Sequence, residues 1–169
     1  MDISFFKKDL ENGRVFIMLV GPPCSGKSEV AGFLNEEGDF VIVRPDDIRH
    51  ELLIQKGADP SSSEVFKIIY EKLVSLLDDG YNIIYDATNC RSNYRIKIMN
   101  VIEGHADISI CLVSMVGLLD CLKKNESVGG DVPSDVIERM YFTVHKYPPN
   151  IYEGYDAIFA FGKDDFLND

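Results

Sequence analysis

An unbroken apolar run followed by a glycine-containing loop constrains the fold of this chain more than any other feature. Residues 15–20 read Val-Phe-Ile-Met-Leu-Val, a pattern typical of a β-strand that is covered on both faces. The run leads directly into Gly21-Pro-Pro-Cys-Ser-Gly-Lys-Ser28 and then into a segment with helical periodicity. A buried strand, a tight loop and a helix in this order predict an α/β domain built on a parallel sheet.

Apolar runs and amphipathic segments alternate along the rest of the chain. Further strands are predicted at 40–43, 82–85, 108–115 and 157–161, and helices at 28–37, 47–56, 61–79, 92–103, 118–125 and 134–146. The first two helices are expected to end at left-handed glycines, Gly38 and Gly57. Ser61 and Glu64 form a capping-box signal. We therefore predict a three-layer α/β/α sandwich with a parallel sheet of about five strands. A single domain is expected over 14–162, with an N-terminal extension at 1–13 and an acidic tail at 163–169.

The charge of the chain argues against one class of function. Seventeen Lys and Arg residues stand against 28 Asp and Glu residues, which gives a formal net charge of −11. Proteins that coat long nucleic acids carry a basic surface, so such a role is disfavoured and any nucleic-acid contact must be local. No apolar run reaches the length of about 18 residues that a membrane span requires, and a cytoplasmic location is expected. The four cysteines lack the CxxC spacing of zinc or disulfide sites.

The segment Gly21–Ser28 has the GxxxxGKS pattern of a phosphate-binding loop, and it lies between a strand and a helix as that pattern requires. Gly21 and Gly26 allow backbone N–H groups, including those of Cys24 and Ser25, to converge on a β-phosphate at a helix N-terminus. Lys27 is expected to reach the β- and γ-phosphates of ATP or GTP, and the Ser28 hydroxyl to bind Mg²⁺. The alternative is an ordinary strand-to-helix turn.

Two acidic segments follow neighbouring predicted strands. Asp86 comes after the strand at 82–85, where its carboxylate could hold Mg²⁺ through water or orient Ser28; the alternative is a helix N-cap. The second segment, Arg44-Pro-Asp46-Asp47-Ile-Arg49, combines two carboxylates with two guanidiniums. One aspartate could accept a proton from an attacking hydroxyl, and Arg49 could hold an anionic group of the acceptor. Here the alternative is a helix cap with surface ion pairs.

An ordered set of motifs carries a resemblance that extends from residue 15 to about residue 160. The set comprises GPPCSGKS (21–28), RPDDIR (44–49), DATNCRSNYR (86–95), CLKKN (121–125), VPSDVIERMY (132–141), YPP (147–149) and EGYD (153–156). In this order and spacing the chain resembles the P-loop kinase domain of the bacteriophage polynucleotide 5′-kinase family, and the zeta-toxin kinases more distantly.

The resemblance implies an ATP- and Mg²⁺-dependent transfer of a phosphoryl group to a hydroxyl. Asp46 would then be the general base, and Arg49 would contact a phosphate of the acceptor. The segment from Asp86 through Asn89 to Arg95 would line the carboxyl edge of the sheet. A lid between Asn125 and Pro133 would close over the γ-phosphate.

The chain departs from the family in this lid. Relatives have an arginine before the asparagine and a second arginine shortly after it, whereas this chain has Lys124 before Asn125 and Val128 near the second position. An arginine of this type can be worth about 10³–10⁵ in rate. We expect Lys124 to supply the lid's charge in part, with Arg139 as a further contact to the nucleotide. Helical periodicity sends Lys123 and Lys124 about 100° apart, so only one of them is expected to face the loop.

Three functions remain open from the sequence. The first is a kinase acting on the 5′-OH of a polynucleotide or nucleotide. The second is a kinase of a small metabolite such as a nucleoside, nucleotide or nucleotide-sugar, which the net charge of −11 favours. The third is a nucleotide-binding regulatory protein with an inactive lid. A cationic groove leading away from Asp46 would favour the first.

Overall fold

The computed structural model of the protein describes residues 13–162, in which strands and helices alternate. Its strands are β1 (Val15–Val20), β2 (Phe40–Val43), β3 (Asn82–Tyr85), β4 (Ile108–Ser114) and β5 (Ala157–Phe161). Its helices are α1 (Lys27–Gly38), α2 (Pro45–Lys56), α3 (Ser62–Asp78), α4 (Ser92–Ile102), α5 (Leu118–Ser127) and α6 (Ser134–Lys146), and a 3₁₀ turn covers Ile151–Glu153. The elements predicted from the sequence are confirmed to within two residues at each end. The tail predicted at 163–169, and the predicted extension apart from Gly13, lie outside the described residues.

All strand pairs of the five-stranded sheet are parallel, in the order β2-β3-β1-β4-β5. After β1, the chain forms β2 and β3 on one side of β1 and then β4 and β5 on the other side. The strand order therefore reverses direction beside β1. Ligands of open parallel sheets bind at the carboxyl ends of the strands near such a reversal, and the segment Gly21–Ser28 begins at this point.

Apolar side chains project from both faces of the sheet. Alternate residues of β1 divide between two clusters: Phe16, Met18 and Val20 belong to the larger one, and Val15, Ile17 and Leu19 to the smaller. The larger cluster is covered by α2, α3, α4 and α6, and the smaller by α1. The predicted three-layer α/β/α fold is thus confirmed. Within the described part of the chain, every helix is too short or too polar to span a lipid bilayer.

The predicted helix ends differ in one detail. Ser61 caps α3 through a complete capping box with Glu64, and Gly57 ends α2 in the left-handed conformation, as predicted. For α1 the prediction of Gly38 as the left-handed residue is wrong by one position, because Gly38 is still helical and Asp39 has φ of 51°. Asp tolerates this conformation better than most residues because its short polar side chain can bond locally.

Candidate active site

The Gly21–Ser28 loop has a backbone shape that requires glycine at two positions. A Cβ atom on Gly21 would lie 2.6 Å from Ser25 Oγ and 2.8 Å from Ser114 Cβ. Gly26 has φ of 88° and precedes the first residue of α1, and Cys24 has φ of 60°. Left-handed residues near a helix N-terminus turn successive backbone N–H groups toward one point, which creates a concavity suited to an anion.

Lys27 lies against the backbone of this loop. Its side chain is buried, and Nζ donates a hydrogen bond to the Pro22 carbonyl oxygen at 2.7 Å and lies 3.4 Å from Ser25 Oγ. Burial lowers the pKa of the Lys27 ammonium from its ordinary value. An incompletely compensated buried cation next to convergent N–H groups favours an anionic ligand such as a phosphate.

Hydrogen bonds through Asp86 connect this loop to the segment after β2. Asp86 is buried, and its Oδ2 accepts from Ser28 Oγ at 3.0 Å and from Arg44 Nε at 3.0 Å. The predicted orientation of Ser28 by Asp86 is therefore observed, and the N-cap alternative is excluded because Arg91 occupies the N-cap of α4.

The donor set at Ser28 and Asp86 fits Mg²⁺, which prefers hard oxygen ligands and usually completes its shell with water and substrate phosphates. Between residues 13 and 162, no group of three or more His, Cys, Asp or Glu side chains is placed to hold a metal ion.

Asp46 and Asp47 lie in the first turn of α2, and neither caps the helix. Asp47 faces Arg44, with 3.7 Å between Oδ2 and Nη1, whereas Asp46 lines a cavity beside β3. Arg49 Nη1 donates to the Pro60 carbonyl at 3.2 Å and lies 3.6 Å from Asp59 Oδ1. The structure thus places Asp46 in a cavity but turns Arg49 toward the α2–α3 connection.

This Asp46-side cavity, of about 520 Å³, gathers residues from distant parts of the chain. Besides Asp46, its lining includes Tyr85 and the loop after it, Phe66, Arg91, Tyr94 and three α6 residues, Arg139, Met140 and Thr143. Phe66 and Tyr94 were not predicted from the sequence, because single aromatic residues on amphipathic helices carry no local signal of a site.

The floor of the Asp46-side cavity is bonded directly to the strand and loop that lead into α1. The Thr88 carbonyl accepts from Gly21 N at 2.9 Å, and Asn89 Nδ2 donates to the Leu19 carbonyl at 2.8 Å. Asn89 holds φ of 47°, which these contacts maintain. The loop and the Asp46-side cavity therefore form one connected structure at the sheet edge.

A second cavity, of about 600 Å³, lies directly against the loop. This loop-side cavity is lined by Cys24, Ser25 and Gly26, by Glu29 of α1, by Lys123 and Lys124 of α5, and by Phe161 at the end of β5. Both lysines contribute to its wall, so the prediction that only one of them faces the loop is wrong. The α5 residues on this wall are Asp120, Lys123, Lys124 and Ser127. This spacing defines one broad helix face, so the neighbouring positions 123 and 124 both lie on it.

Lys124 forms an ion pair with Glu29 in this structure. Burial acts against the Glu29 carboxylate, but the hydrogen bond from Lys124 prevails, and the pKa of Glu29 is lowered. Both side chains are more than a third exposed, and pairs of this kind contribute at most about 1 kcal/mol. The pair can therefore open at little cost.

Asn125 fixes the segment predicted to be a lid. Its buried side chain donates to the Val132 carbonyl at 2.8 Å and accepts from Val132 N at 3.3 Å. Between them Gly129 and Gly130 both have positive φ, 116° and 71°. The residues 125–132 thus form a closed turn whose glycines absorb the change of direction.

Arg139, predicted to contact the nucleotide, lies on the wall of the Asp46-side cavity and not on that of the loop-side cavity. Its side chain is 60% exposed, and Nη1 lies 3.9 Å from Asp135 Oδ2. The reason is the direction of α6, which packs against the larger core cluster through Val144 on the face of the sheet opposite α1.

Arg95, predicted to line the sheet edge, is completely buried and holds two distant segments together. It donates to both carboxylate oxygens of Glu153 at 2.6 Å, to the Asn89 and Cys90 carbonyls at 3.1 and 3.2 Å, and to the Tyr147 carbonyl at 2.9 Å. Burial opposes its charge, but Glu153 prevails and raises the pKa of Arg95. Arg95 therefore supports the floor of the Asp46-side cavity.

Comparisons with known proteins bear on these features. A family model described as an AAA domain matches residues 16–145. No curated protein matches the sequence with significance. Among solved structures, a chain of the Pnkp1/Rnl/Hen1 RNA repair complex is 26% identical, with a TM-score of 0.67 over 79% of this chain and 45% of that chain. This protein thus spans less than half the length of that relative.

Two further structures share the fold at lower identity. A presumed kinase from Chloroflexus aurantiacus is 15% identical, with a TM-score of 0.68, covering 92% of this chain and 89% of its own. A gluconokinase from Sinorhizobium meliloti 1021 is 16% identical, with a TM-score of 0.58, covering 86% and 81%. With the family model matching most of its length, the chain belongs to the AAA domain family and has the P-loop kinase fold.

Proposed function

We propose that this protein is an ATP- and Mg²⁺-dependent kinase that transfers the γ-phosphate to a hydroxyl. The acceptor that we favour is the 5′-OH of a polynucleotide or nucleotide. The observation that carries the proposal is the direct hydrogen bonding between the Gly21–Ser28 loop and the segment that lines the Asp46-side cavity. Gly21 N donates to Thr88, and Ser28 and Arg44 share Asp86. A donor and an acceptor bound on the two sides of this connection would meet at the sheet edge.

The residues of the loop would bind and orient the nucleotide. Backbone N–H groups between Gly21 and Ser28 and the ammonium of Lys27 would hold its β- and γ-phosphates. Ser28, oriented by Asp86, would hold Mg²⁺, which when bound neutralises charge on the phosphate oxygens. Lys124, once released from Glu29, would add a cation from the lid, as a point charge without the fork of an arginine.

On the other side, Asp46 would accept the proton of the attacking hydroxyl. It is the one acidic residue on the wall of the Asp46-side cavity, as far as the described residues extend, and a carboxylate within reach of a hydroxyl can serve as general base. Arg91 and Arg139 line the same cavity. Two guanidiniums beside the base favour an acceptor that itself carries phosphate, which supports a nucleotide or polynucleotide over an uncharged sugar. Arg49 would join them only by leaving Pro60.

A small-metabolite kinase is the second candidate. The fold is shared with a gluconokinase, and a cavity of about 520 Å³ is in the range that encloses one ligand of drug size. The nucleotide-binding regulatory protein is the third. It would bind nucleotide without using Asp46.

Incubation with γ-labelled ATP and an acceptor panel tests the proposal. The panel contains 5′-OH oligonucleotides, nucleosides, nucleoside 3′-phosphates, nucleotide-sugars and gluconate. We expect label on the 5′ end of the oligonucleotides or nucleoside 3′-phosphates. Label on a sugar alone would favour the second candidate, and nucleotide binding with no transfer to any acceptor would favour the third.

A further inference from the structure

The Asp46-side cavity adjoins a second depression on its outer side. This outer groove, of about 320 Å³, is lined by Ser63, Phe66, Lys67, Tyr70, Tyr94 and Lys97. Phe66 and Tyr94 line both spaces, so they form a shared wall between them. The groove lies between α3 and α4, away from the Gly21–Ser28 loop. Nothing in the proposed transfer of phosphate requires it.

Aromatic rings from two helices form this shared wall. The rings of Phe66 and Tyr94 stack with 5.7 Å between centroids and 25° between planes, and Tyr70 lies 6.0 Å from Phe66. The Arg91 guanidinium lies 5.8 Å from the centre of the Tyr94 ring, near the outer limit of a cation–π contact. Arg91 is exposed. It can therefore exchange its position on Tyr94 with another planar group, such as a nucleobase.

The charge around these two spaces is the reverse of the charge of the whole chain. Their walls carry four basic residues, Arg91, Arg139, Lys67 and Lys97, and one acidic residue, Asp46. The chain as a whole has 17 basic and 28 acidic residues. The loop-side cavity is balanced, with Glu29 and Asp120 against Lys123 and Lys124.

Glu71, which is paired with Lys67, does little to neutralise this groove. Glu71 Oε1 lies 3.9 Å from Lys67 Nζ, and both side chains are at least two-thirds exposed, so the pair is weak. A local basic surface on an acidic protein attracts a polyanion to that surface and repels it elsewhere.

We propose that the outer groove is a downstream subsite for a single-stranded nucleic acid whose 5′ end lies at Asp46. The 5′-terminal nucleoside would occupy the Asp46-side cavity. The next base would stack on the wall formed by Phe66 and Tyr94, and the following phosphates would contact Lys67 and Lys97. Stacking on aromatic rings together with nearby cations is the usual means by which proteins hold single strands without reading sequence. The inference rests on the proposed function, because it needs a 5′-OH acceptor.

The position of the groove explains how a protein of net charge −11 can act on a nucleic acid. Only a short stretch of strand would be held, and the remainder would extend into solvent. The subsite therefore predicts a preference for short or terminal single strands over long duplexes, which need a more extended basic surface.

The first test compares acceptors of increasing length. With γ-labelled ATP, KM is measured for a nucleoside 3′-phosphate, a dinucleotide and a hexanucleotide, each with a 5′-OH. We expect KM to fall at least fivefold from the nucleoside 3′-phosphate to the dinucleotide, since one stacked base and one phosphate are added. Equal KM values for the three acceptors would overturn the subsite and leave the kinase intact. Label on a sugar alone would overturn both.

The second test uses variants on the exposed surface of α3 and α4. The double variant Lys67→Gln, Lys97→Gln is expected to weaken binding of a fluorescent 5′-OH hexanucleotide about tenfold, measured by anisotropy without ATP. The salt dependence of that binding should also fall by one to two phosphate contacts, and each contact is worth about 0.7 in the slope of log affinity against log salt concentration. KM for the nucleoside 3′-phosphate should not change.

Lys72→Gln is the matched control, because Lys72 lies on the same helix as Lys67, is exposed and does not line the groove. It should change neither value. If the double variant binds the hexanucleotide as tightly as the wild type and with the same salt dependence, the groove is not a nucleic-acid subsite. Tyr94→Ala should weaken hexanucleotide binding at constant salt slope, because it removes stacking and no charge; an unchanged affinity would contradict the aromatic part of the proposal.

Discussion

The two cavities beside the Gly21–Ser28 loop are built in different ways. One wall of the loop-side cavity is the Gly21–Ser28 loop, whose shape follows from Gly21, Gly26 and the start of α1. Glu29, α5 and the end of β5 complete this cavity, and its charge is balanced. The Asp46 side gathers residues from Pro45 to Thr143, and its wall has more basic than acidic residues. Under the proposed function, the loop side would hold the nucleotide and the more basic Asp46 side would hold the acceptor.

Asp86 joins the two sides directly, and Arg95 acts through Asn89, whose side chain donates to the Leu19 carbonyl of β1. Asp86 links Ser28 of the loop to Arg44, and Arg95 holds the carbonyls of Asn89 and Cys90 beneath the Asp46-side cavity. Both are buried. Changes to the cavity walls should therefore affect one ligand at a time, whereas changes to Asp86 or Arg95 should affect both.

The largest effect is expected at Asp46. Asp46→Asn removes the proposed base without changing the loop, so turnover should fall by about 10²–10⁴ while nucleotide affinity stays within error. Steady-state kinetics and calorimetric titration with a non-hydrolysable ATP analogue measure the two quantities. Asp47→Asn is the matched control, since Asp47 faces Arg44. A larger loss for Asp47→Asn than for Asp46→Asn would mean that the base is misassigned.

The second largest effect is expected at Lys27, in the Gly21–Ser28 loop. Lys27→Ala removes the buried ammonium that lies against Pro22 and should weaken nucleotide binding by tenfold or more, on the scale of a charge-assisted hydrogen bond. Calorimetry with the same analogue gives the affinity, and Lys72→Ala controls for loss of a surface charge. Unchanged nucleotide affinity in Lys27→Ala would contradict the assignment of this loop.

A smaller effect is expected at the lid. Lys124→Ala should reduce turnover about tenfold and nucleotide affinity less, because a lysine near a charged transferring group acts mainly as that charge develops. Lys123→Ala tests the neighbouring lysine on the same wall, and Val128→Arg should raise turnover by restoring a guanidinium. If Lys124→Ala leaves turnover intact and Arg139→Ala abolishes it, the charge comes from the Asp46 side.

The smallest expected effect is a partial uptake of protons when the nucleotide binds. The pKa of Lys27 is lowered by burial, and bound phosphates would raise it again by favouring the charged form. Between the lowered value and the ordinary value of 10.5, nucleotide binding should therefore take up protons. Titrations below pH 10.5, in buffers of different ionisation enthalpy, measure this uptake. Lys27→Met should abolish it, and an equal uptake in that variant would assign the proton to another group.

The contrast between the cavities also explains which features the sequence could predict. The loop, its strand and the capping box at Ser61 are local patterns, so their structures follow from neighbouring residues. Asp86 and the Asp46–Asp47 pair were predicted from their positions after neighbouring strands, and the resemblance singled out Asp46 as the base. Phe66 and Tyr94 meet only through the contact of α3 with α4, and Arg139 faces the Asp46 side because of how α6 packs. Such long-range contacts leave no periodic or spacing signal.

Simultaneous binding of the two ligands tests the central claim most directly, namely that donor and acceptor lie in separate cavities joined at Asp86. The affinity of a fluorescent 5′-OH hexanucleotide is measured by anisotropy with and without a saturating non-hydrolysable ATP analogue and Mg²⁺. We predict that both ligands bind together, with hexanucleotide affinity equal or higher in the presence of the analogue. Competitive displacement of the hexanucleotide by the analogue would show a single shared site and would contradict the account.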